Sequence, residues 1–286
     1  MIPVLIACYG ATVRPVVVVF VLLALVGVGG CTRAQRDRGQ TVVASFYPLA
    51  WAAEQVGANR YEVLNLTQPG AEPHDLELSP SDVSAIRTAK LVVYLSGGFQ
   101  PAVEDAVEQR DGRSLDVLDG DTDPHIWLDP VRFALAVEEI ARALGEGASA
   151  APVARELRQL DAEYYAGLAH CARRVLVTTH ASFGRLAARY GLTQLALAGR
   201  SPEVEPSPRE LERIVEQIRR SGATRVFAEP LISSRLAETV AREAGVEVAT
   251  LDPLEGLSEE RLAAGEDYVS VMRSNLATLR EALGCR

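Results

Sequence analysis

Short apolar runs alternate with amphipathic segments along most of this chain. Four runs occupy the first half, at residues 41–46, 61–66, 90–96 and 114–118, the last being the weakest. Four more occupy the second half, at residues 174–179, 192–198, 224–230 and 246–253. Runs of this length, separated by helical patterns, are typical of buried strands in parallel sheets. The sequence therefore predicts an α/β fold with two lobes, each a parallel sheet flanked by helices.

Helix signals lie between the predicted strands. Ser79 suits an N-cap, and Pro80 suits the first helical position after it. Ser207 and Glu210 have the spacing of a capping box, and Gly222 is placed to end that helix. Further helices are predicted at residues 49–57, 129–145 and 153–173. The longest of them divides the chain into a first lobe (41–150), a linking backbone helix (151–173) and a second lobe (174–286).

The first forty residues have the layout of an export signal. An unbroken apolar run at residues 16–28 follows Arg14, and the letters GGC come directly after it, giving a VGGC ending. As a helix this run spans about 20 Å, which is shorter than the roughly 30 Å hydrocarbon core of a membrane. We predict a lipoprotein signal peptide (1–30), lipidation of Cys31 and a polar tether (31–40), which would anchor the protein to the outer face of the cytoplasmic membrane. An ordinary cleaved signal or an uncleaved anchor are the alternatives.

The net charge limits the possible ligands, and the number of cysteines limits the possible disulfides. The formal net charge of −9 argues against nucleic acid, which requires clustered lysine and arginine, and is compatible with a cation as ligand. Of the four cysteines, Cys8 lies in the signal and Cys31 at the lipidation site, so Cys171 and Cys285 remain. Outside the cytoplasm these two thiols either form one disulfide or stay unpaired and buried, and the sequence leaves both possibilities open.

The chain has only four histidines, and three of them are expected at the same place. His74 and His180 follow predicted strands, as does Asp252, and His125 lies in a loop before a helix. In parallel sheets, ligands bind beyond the carboxyl ends of the strands. Three imidazoles and one carboxylate form a donor set that suits Zn²⁺. His170 lies near the end of the long predicted helix, before the next strand and at the opposite edge from the site, where we expect a surface or helix-end histidine.

Four segments together carry a family resemblance. They read PHDLELSPSDV, HIWLDP, TTHASFGRLAARYGL and VFAEPLISSRLAETVAREAGVEVATLDPL. In this order they resemble the cluster A-I metal-binding lipoproteins of bacterial ABC importers, specifically the zinc-uptake branch. The similarity extends from about residue 41 to the C-terminus. It implies two α/β lobes joined by one long helix, with the metal between the lobes.

The resemblance also implies roles for individual residues. His74, His125, His180 and Asp252 match the four metal ligands of the family. Histidine at position 180 indicates zinc, because the manganese-binding branch has glutamate there. Glu229, in the FAEP motif, is expected to orient a ligand by hydrogen bonding, and its alternative is a carboxylate at the sheet edge.

Two features depart from the family pattern. The segment before the second ligand is acidic but contains no histidine, so residues 119–123 are interpreted as a solvated acidic turn. The family often links the tail to the strand before FAEP by a disulfide, but Arg225 occupies that strand position here. Cys285 would therefore need Cys171 as its partner, a pairing that the resemblance does not support.

The resemblance implies a solute-binding protein that captures Zn²⁺ and delivers it to an ABC permease. Four protein ligands leave no position for an activated water, so we expect no enzyme activity. We also expect a monomer.

Three alternatives stay open. The cargo could be manganese or iron, or the protein could be a surface adhesin with structural zinc. The third alternative is a secreted zinc hydrolase, although the chain has no HExxH motif. The long helix should limit hinge motion, so release is expected through movement of the loops around His74 or His180.

Overall fold

The structure is a computed structural model, and it describes residues 41–57, 60–118, 120, 122–200 and 206–286. The predicted signal peptide (1–30), the lipidation site Cys31 and the tether (31–40) lie outside the described residues. In the part of the chain that is described, no helix is both long enough and apolar enough to cross a membrane.

Two four-stranded parallel sheets form the framework, as the alternating pattern predicts. The first sheet has the order β2-β1-β3-β4 and contains β1 (Thr41–Ala44), β2 (Glu62–Asn65), β3 (Leu91–Tyr94) and β4 (Ser114–Asp116). The second has the order β6-β5-β7-β8 and contains β5 (Val175–Thr178), β6 (Thr193–Ala196), β7 (Arg225–Ala228) and β8 (Glu247–Thr250). Each strand falls inside its predicted run, so the predicted fold class is confirmed.

Helices connect the strands and cover both sheets. Those of the first half are α1 (Tyr47–Gly57), α2 (Pro80–Thr88), α3 (Pro101–Glu108) and α4 (Pro130–Leu144). The long helix α5 (Ala150–Leu168) follows. The second half has α6 (Gly184–Arg189), α7 (Pro208–Ser221), α8 (Arg235–Ala244), α9 (Glu259–Ala263) and α10 (Tyr268–Leu283).

The helix caps predicted from the sequence form in the structure. The Ser79 hydroxyl accepts a hydrogen bond from the Asp82 N–H, and the Asp82 carboxylate accepts one from the Ser79 N–H. At α7, the Glu210 carboxylate accepts from the Ser207 N–H at 2.8 Å. That helix ends at Gly222, whose φ of +69° lies in the left-handed region that glycine adopts without a steric penalty.

The long helix is shorter at its C-terminal end than the sequence predicts. It ends at Leu168, whereas the sequence analysis extends it to residue 173. The Arg174 guanidinium donates to the carbonyls of Leu168 and Ala169 at 3.0 and 2.7 Å, which satisfies backbone groups that a longer helix would have used. Cys171 lies beyond this end, where a disulfide joins it to Cys285.

The C-terminal helix α10, which the sequence analysis did not predict, packs against both halves. Its Tyr268 hydroxyl donates to the Trp127 carbonyl at 2.5 Å, and its Met272 carbonyl accepts from the Tyr164 hydroxyl of α5 at 2.6 Å. Trp127, Tyr164 and Tyr268 are fully buried in the largest hydrophobic cluster, which contains residues from both sheets. A shared core therefore holds the loops of the two halves in a fixed arrangement.

Candidate metal centre

Three histidines, distant in sequence, meet at one place. His74 lies in the 3₁₀ turn Pro73–Asp75, which follows β2, and His125 directly precedes the 3₁₀ turn Ile126–Leu128. His180 follows the C-terminal end of β5. The side chains of His125 and His180 are completely buried, and that of His74 is 8% exposed. The structure thus brings together all three histidines that the sequence analysis singled out.

Glu255 supplies the carboxylate of this group. Its Oε1 lies 3.3 Å from Nε2 of both His125 and His180, and 3.6 Å from Nε2 of His74. One donor atom from each of the four residues lies within 4.8 Å of all the others. Ligands bound tetrahedrally at about 2.0–2.1 Å from zinc are about 3.3 Å apart, so the observed spacing fits a four-coordinate ion.

The imidazole nitrogens in this group are available to a cation. Nε2 of His74 and Nε2 of His125 are both buried, and neither has a hydrogen-bond partner of good geometry within the described ranges. Buried polar atoms are normally paired, so two orphaned nitrogens facing one carboxylate oxygen indicate a missing positive partner. A divalent metal ion satisfies all of these atoms at once.

Asp252, the predicted fourth ligand, lies outside this group, and the prediction is corrected. Its Oδ2 accepts a hydrogen bond from Nη1 of Arg261 at 2.5 Å, and its Oδ1 accepts from the Leu254 N–H at 2.7 Å. Both carboxylate oxygens are therefore already engaged, one by the loop backbone and the other by Arg261 of α9. The geometry assigns the carboxylate position to Glu255, three residues further along the chain.

A left-handed turn explains how Glu255 reaches the histidines. Leu254 has a φ of +57°, and it is the only residue other than glycine with a positive φ in the described chain. Such a conformation costs about 1–3 kcal/mol and must be held by its surroundings. Asp252 accepts from the Leu254 N–H, and the Trp127 indole donates to the Pro253 carbonyl at 2.6 Å. These contacts stabilise the turn that directs Glu255 inward.

Two further carboxylates lie against the outer nitrogens of the imidazole rings. Oε2 of Glu229 lies 2.6 Å from Nδ1 of His180, and its Oε1 accepts from the His180 N–H and from the Thr179 hydroxyl. Oδ1 of Asp123 lies 2.8 Å from Nδ1 of His125. With a proton held on Nδ1, each ring presents the lone pair of Nε2 to the group. The contact of Glu229 with His180 is compatible with the orienting role that was one of its two predicted possibilities, whereas the contact of Asp123 with His125 was missed.

An arginine from the second half holds the Asp123 loop in place. Arg185, in α6, donates to the Asp123 carbonyl from Nε at 3.0 Å and from Nη2 at 2.6 Å. Its Nε also lies 3.8 Å from Oδ2 of Asp123. The loop that carries His125 is thus fastened to the half that carries His180. The signal in the sequence is the motif DPH, in which a carboxylate two residues before a histidine can reach its ring.

The loop of His74 is tied at two points. Nε2 of Gln100 donates to the Pro73 carbonyl at 3.2 Å and to the Thr67 hydroxyl at 3.1 Å. The Gly70 N–H donates to the Leu257 carbonyl at 3.0 Å, which joins this loop to the one that carries Glu255. The two loops therefore form one wall of the site.

Aromatic rings enclose the histidines. The ring of Phe99 lies 4.6 Å from that of His74, and the ring of Trp127 lies 5.1 Å from that of His125, measured between centroids. Both aromatic side chains are buried. Apolar rings around the group lower the polarity of its surroundings, which strengthens the electrostatic interactions inside it.

The pKa values of His125, His180 and Glu255 depend on one another. Burial works to lower the pKa of His180, but the carboxylates of Glu229 and Glu255 raise it to about 10. Burial also opposes protonation of His125, whose pKa is nevertheless raised by Asp123 and Glu255. Burial disfavours ionisation of Glu255, yet the three histidines hold its pKa well below the usual range. The site is therefore built to hold positive charge beside a buried carboxylate.

The remaining histidine and the cysteines lie elsewhere. His170 is exposed, and its carbonyl accepts from the Arg286 N–H near the C-terminus. Cys171 and Cys285 are joined in the disulfide, so neither offers a thiolate.

Comparisons with known proteins agree with this geometry. The sequence model of the family described as "Zinc-uptake complex component A periplasmic" matches residues 42–282. The chain is 32% identical to the zinc-binding protein AdcA of Streptococcus pyogenes serotype M1, and the match covers 84% of this chain and 55% of that protein. It is 29% identical to the high-affinity zinc uptake system protein ZnuA of Bacillus subtilis, over 92% of this chain and 94% of that protein.

A solved structure shows the same fold. The Zn(II)-bound ZnuA-like domain of Streptococcus pneumoniae AdcA matches with a TM-score of 0.73 at 34% identity, over 85% of this chain and 98% of that domain. The chain spans about half the length of the AdcA proteins that it matches. Because the family match covers nearly all of the described chain, this protein belongs to the family of periplasmic zinc-uptake complex component A proteins.

Proposed function

We propose that this protein captures Zn²⁺ outside the cytoplasm and delivers it to the permease of an ABC importer. The observation that carries the proposal is the convergence of His74, His125, His180 and Glu255, with unpaired imidazole nitrogens facing one carboxylate oxygen. The first half of the chain supplies two of these donors and the second half supplies the other two. One chain thus provides a complete site, and a monomer is sufficient.

The donor set favours zinc over manganese. Three imidazoles and one carboxylate suit zinc and the later transition metals, whereas manganese prefers sites rich in oxygen. His180 is decisive, because its replacement by a carboxylate would change the donors to two nitrogens and two oxygens. The contacts of its Nδ1 and its N–H with Glu229 fix the ring so that Nε2 points to the group.

The arrangement favours binding over catalysis. A catalytic zinc usually keeps one coordination position for water, whereas four protein donors fill a tetrahedral ion. Glu229 and Asp123, the carboxylates nearest to the histidines, already interact with ring nitrogens and are poorly placed to act as a general base. In this proposal zinc is cargo, and lipidation of Cys31 would keep the protein at the outer surface of the membrane.

Metal titration of the purified protein tests this function. Metal-free protein is titrated with Zn²⁺ and, in competition, with Mn²⁺, and a deletion strain is grown under zinc limitation. We expect one Zn²⁺ per chain, displacement of Mn²⁺ by Zn²⁺, and a growth defect that added zinc restores. Preference for Mn²⁺, or normal growth without zinc supplementation, would contradict the proposal.

A further inference from the structure

A groove of about 660 Å³ lies on the first half of the molecule, beside the loop of His74. It runs between α2 and α3 and is called here the α2–α3 groove. Its apolar lining includes Leu76, Leu78 and Ala106, together with Val83, which is 37% exposed. An apolar groove lining that is bordered by polar residues is typical of a surface that binds a partner.

The rim of the groove is acidic. Glu77 and Asp105 line it and form no ion pair within the described parts of the chain, and Arg87 is the one basic residue among its lining residues. The charge of the whole protein is distributed in the same way. Residues 41–150 contain 18 acidic and seven basic residues, whereas residues 151–286 contain 19 and 18. The negative field is concentrated on the half that carries the groove, and it favours a basic occupant.

Both walls of the groove are connected to His74. On one side, the Leu76 N–H donates to the Pro73 carbonyl at 3.3 Å, which closes the turn that holds His74. On the other side, α3 begins at Pro101, directly after Gln100, whose side chain donates to the same carbonyl at 3.2 Å. His74 is also the most exposed of the four donor side chains. A ligand that moves the two walls of the groove apart would therefore displace His74, the donor most exposed to solvent.

We propose that a basic segment with apolar side chains, on the extracytoplasmic face of the permease, docks in the α2–α3 groove and loosens His74. The proposal rests on the zinc-delivery function proposed above. A partner shifts an equilibrium only through its different affinity for two states. A segment that fits the parted groove better than the closed one favours the state in which His74 is displaced, and zinc leaves faster.

The test uses vesicles that contain the permease and ATPase of the same zinc-uptake system. The double variant Glu77→Gln and Asp105→Asn removes both rim charges, and the control variant Glu212→Gln and Glu243→Gln removes two exposed charges from α7 and α8. Zinc affinity, vesicle-dependent zinc dissociation and zinc uptake are measured for each. We expect wild-type affinity in both variants, and a loss of uptake and of vesicle-stimulated dissociation of about tenfold in the rim variant alone.

The other possible outcomes of this experiment lead to different conclusions. Normal uptake by a rim variant that binds zinc would overturn the docking proposal and leave the zinc-delivery function intact. An equal loss in the control variant would show that net charge matters rather than the groove, and would also overturn it. Concentration-dependent self-association of the wild type that the rim variant lacks would identify a second copy as the occupant instead. Failure of the wild type to bind zinc or support uptake would overturn the delivery function itself.

Discussion

Arg261 and Asp252 form an ion pair in which Nη1 lies 2.5 Å from Oδ2, and this pair keeps Asp252 away from the three histidines. Nη2 of the same arginine lies 2.8 Å from the Glu266 carboxylate. Asp252 therefore stabilises the loop, while Glu255, at the end of that loop, completes the donor group. The two carboxylates lie in the same short segment but have separate roles.

This division of roles predicts the order of two mutational effects. Glu255→Gln removes a charged donor, and we expect zinc affinity to fall by more than about 100-fold, beyond the roughly 10–100-fold typical of residues that only support a ligand. Asp252→Asn preserves the shape of the side chain, and we expect a loss of about tenfold or less. Calorimetric titration with a competing chelator measures both. A larger loss in Asp252→Asn would restore Asp252 as the ligand.

The contact between Arg185 and Asp123 predicts that both residues affect zinc affinity although neither coordinates the metal. Asp123→Asn weakens the partner of His125 Nδ1, and Arg185→Leu releases the loop that carries it. We expect each to lower zinc affinity by about 10–100-fold while one zinc still binds per chain. Arg185→Lys should recover part of the loss. Arg209→Leu, at an exposed position in α7, is the matched control and should have no effect.

Cobalt substitution distinguishes this role from a general loss of stability. The visible spectrum of bound Co²⁺ reports the geometry of its ligands, so Asp123→Asn should alter the spectrum as well as the affinity. An unchanged spectrum and affinity in a folded variant would show that Asp123 does not orient His125.

Zinc binding should stabilise the folded protein strongly. An ion present at 1,000 times its dissociation constant contributes about 4.1 kcal/mol to the free energy of unfolding. For a chain of this size, that corresponds to a rise in Tm of about 10 °C. Thermal unfolding with and without Zn²⁺ measures the shift, with Mg²⁺ as the control. A shift of the same size in Glu255→Gln would contradict the assignment of that residue.

The disulfide between Cys171 and Cys285 should contribute to stability and not to metal binding. It links residues 114 positions apart, and a loop of this length corresponds to about 4–5 kcal/mol in the chain-entropy model. We expect the double variant Cys171→Ser and Cys285→Ser to lose about 2–5 kcal/mol in denaturant unfolding while keeping zinc affinity. Alkylation of both cysteines in unreduced, unfolded protein would show that the bond is absent.

Features fixed by local sequence were predictable. Strands appeared as apolar runs, and the ends of α2 and α7 followed from Ser79 and Gly222, because capping and left-handed glycine act within a few residues. The positions of His74 and His180 after strands placed each of them at the carboxyl-end edge of its own parallel sheet. This reasoning located three of the four donors before the fold was known.

Features that depend on contacts distant in sequence were not predictable in the same way. Asp252 lies closer to the end of its strand than Glu255 does, so a local pattern favours it over Glu255. The choice between them is made by Arg261, by the turn at Leu254 and by the Trp127 indole on the neighbouring backbone. Contacts of this kind are determined by packing and leave no periodic signal.

The end of the long helix shows the same limit. Apolar spacing continues past Leu168, but the Arg174 side chain and the bridge to the C-terminus end the helix there. The pairing of Cys171 with Cys285 likewise requires the return of α10 along α5, which the sequence analysis did not foresee.

A crystal structure of the zinc-loaded protein, with anomalous data collected at the zinc absorption edge, tests the central claim most directly. We predict one zinc peak bound by Nε2 of His74, His125 and His180 and by the Glu255 carboxylate, with Asp252 still paired to Arg261. A zinc peak elsewhere, or one coordinated by Asp252 in place of Glu255, would contradict the account.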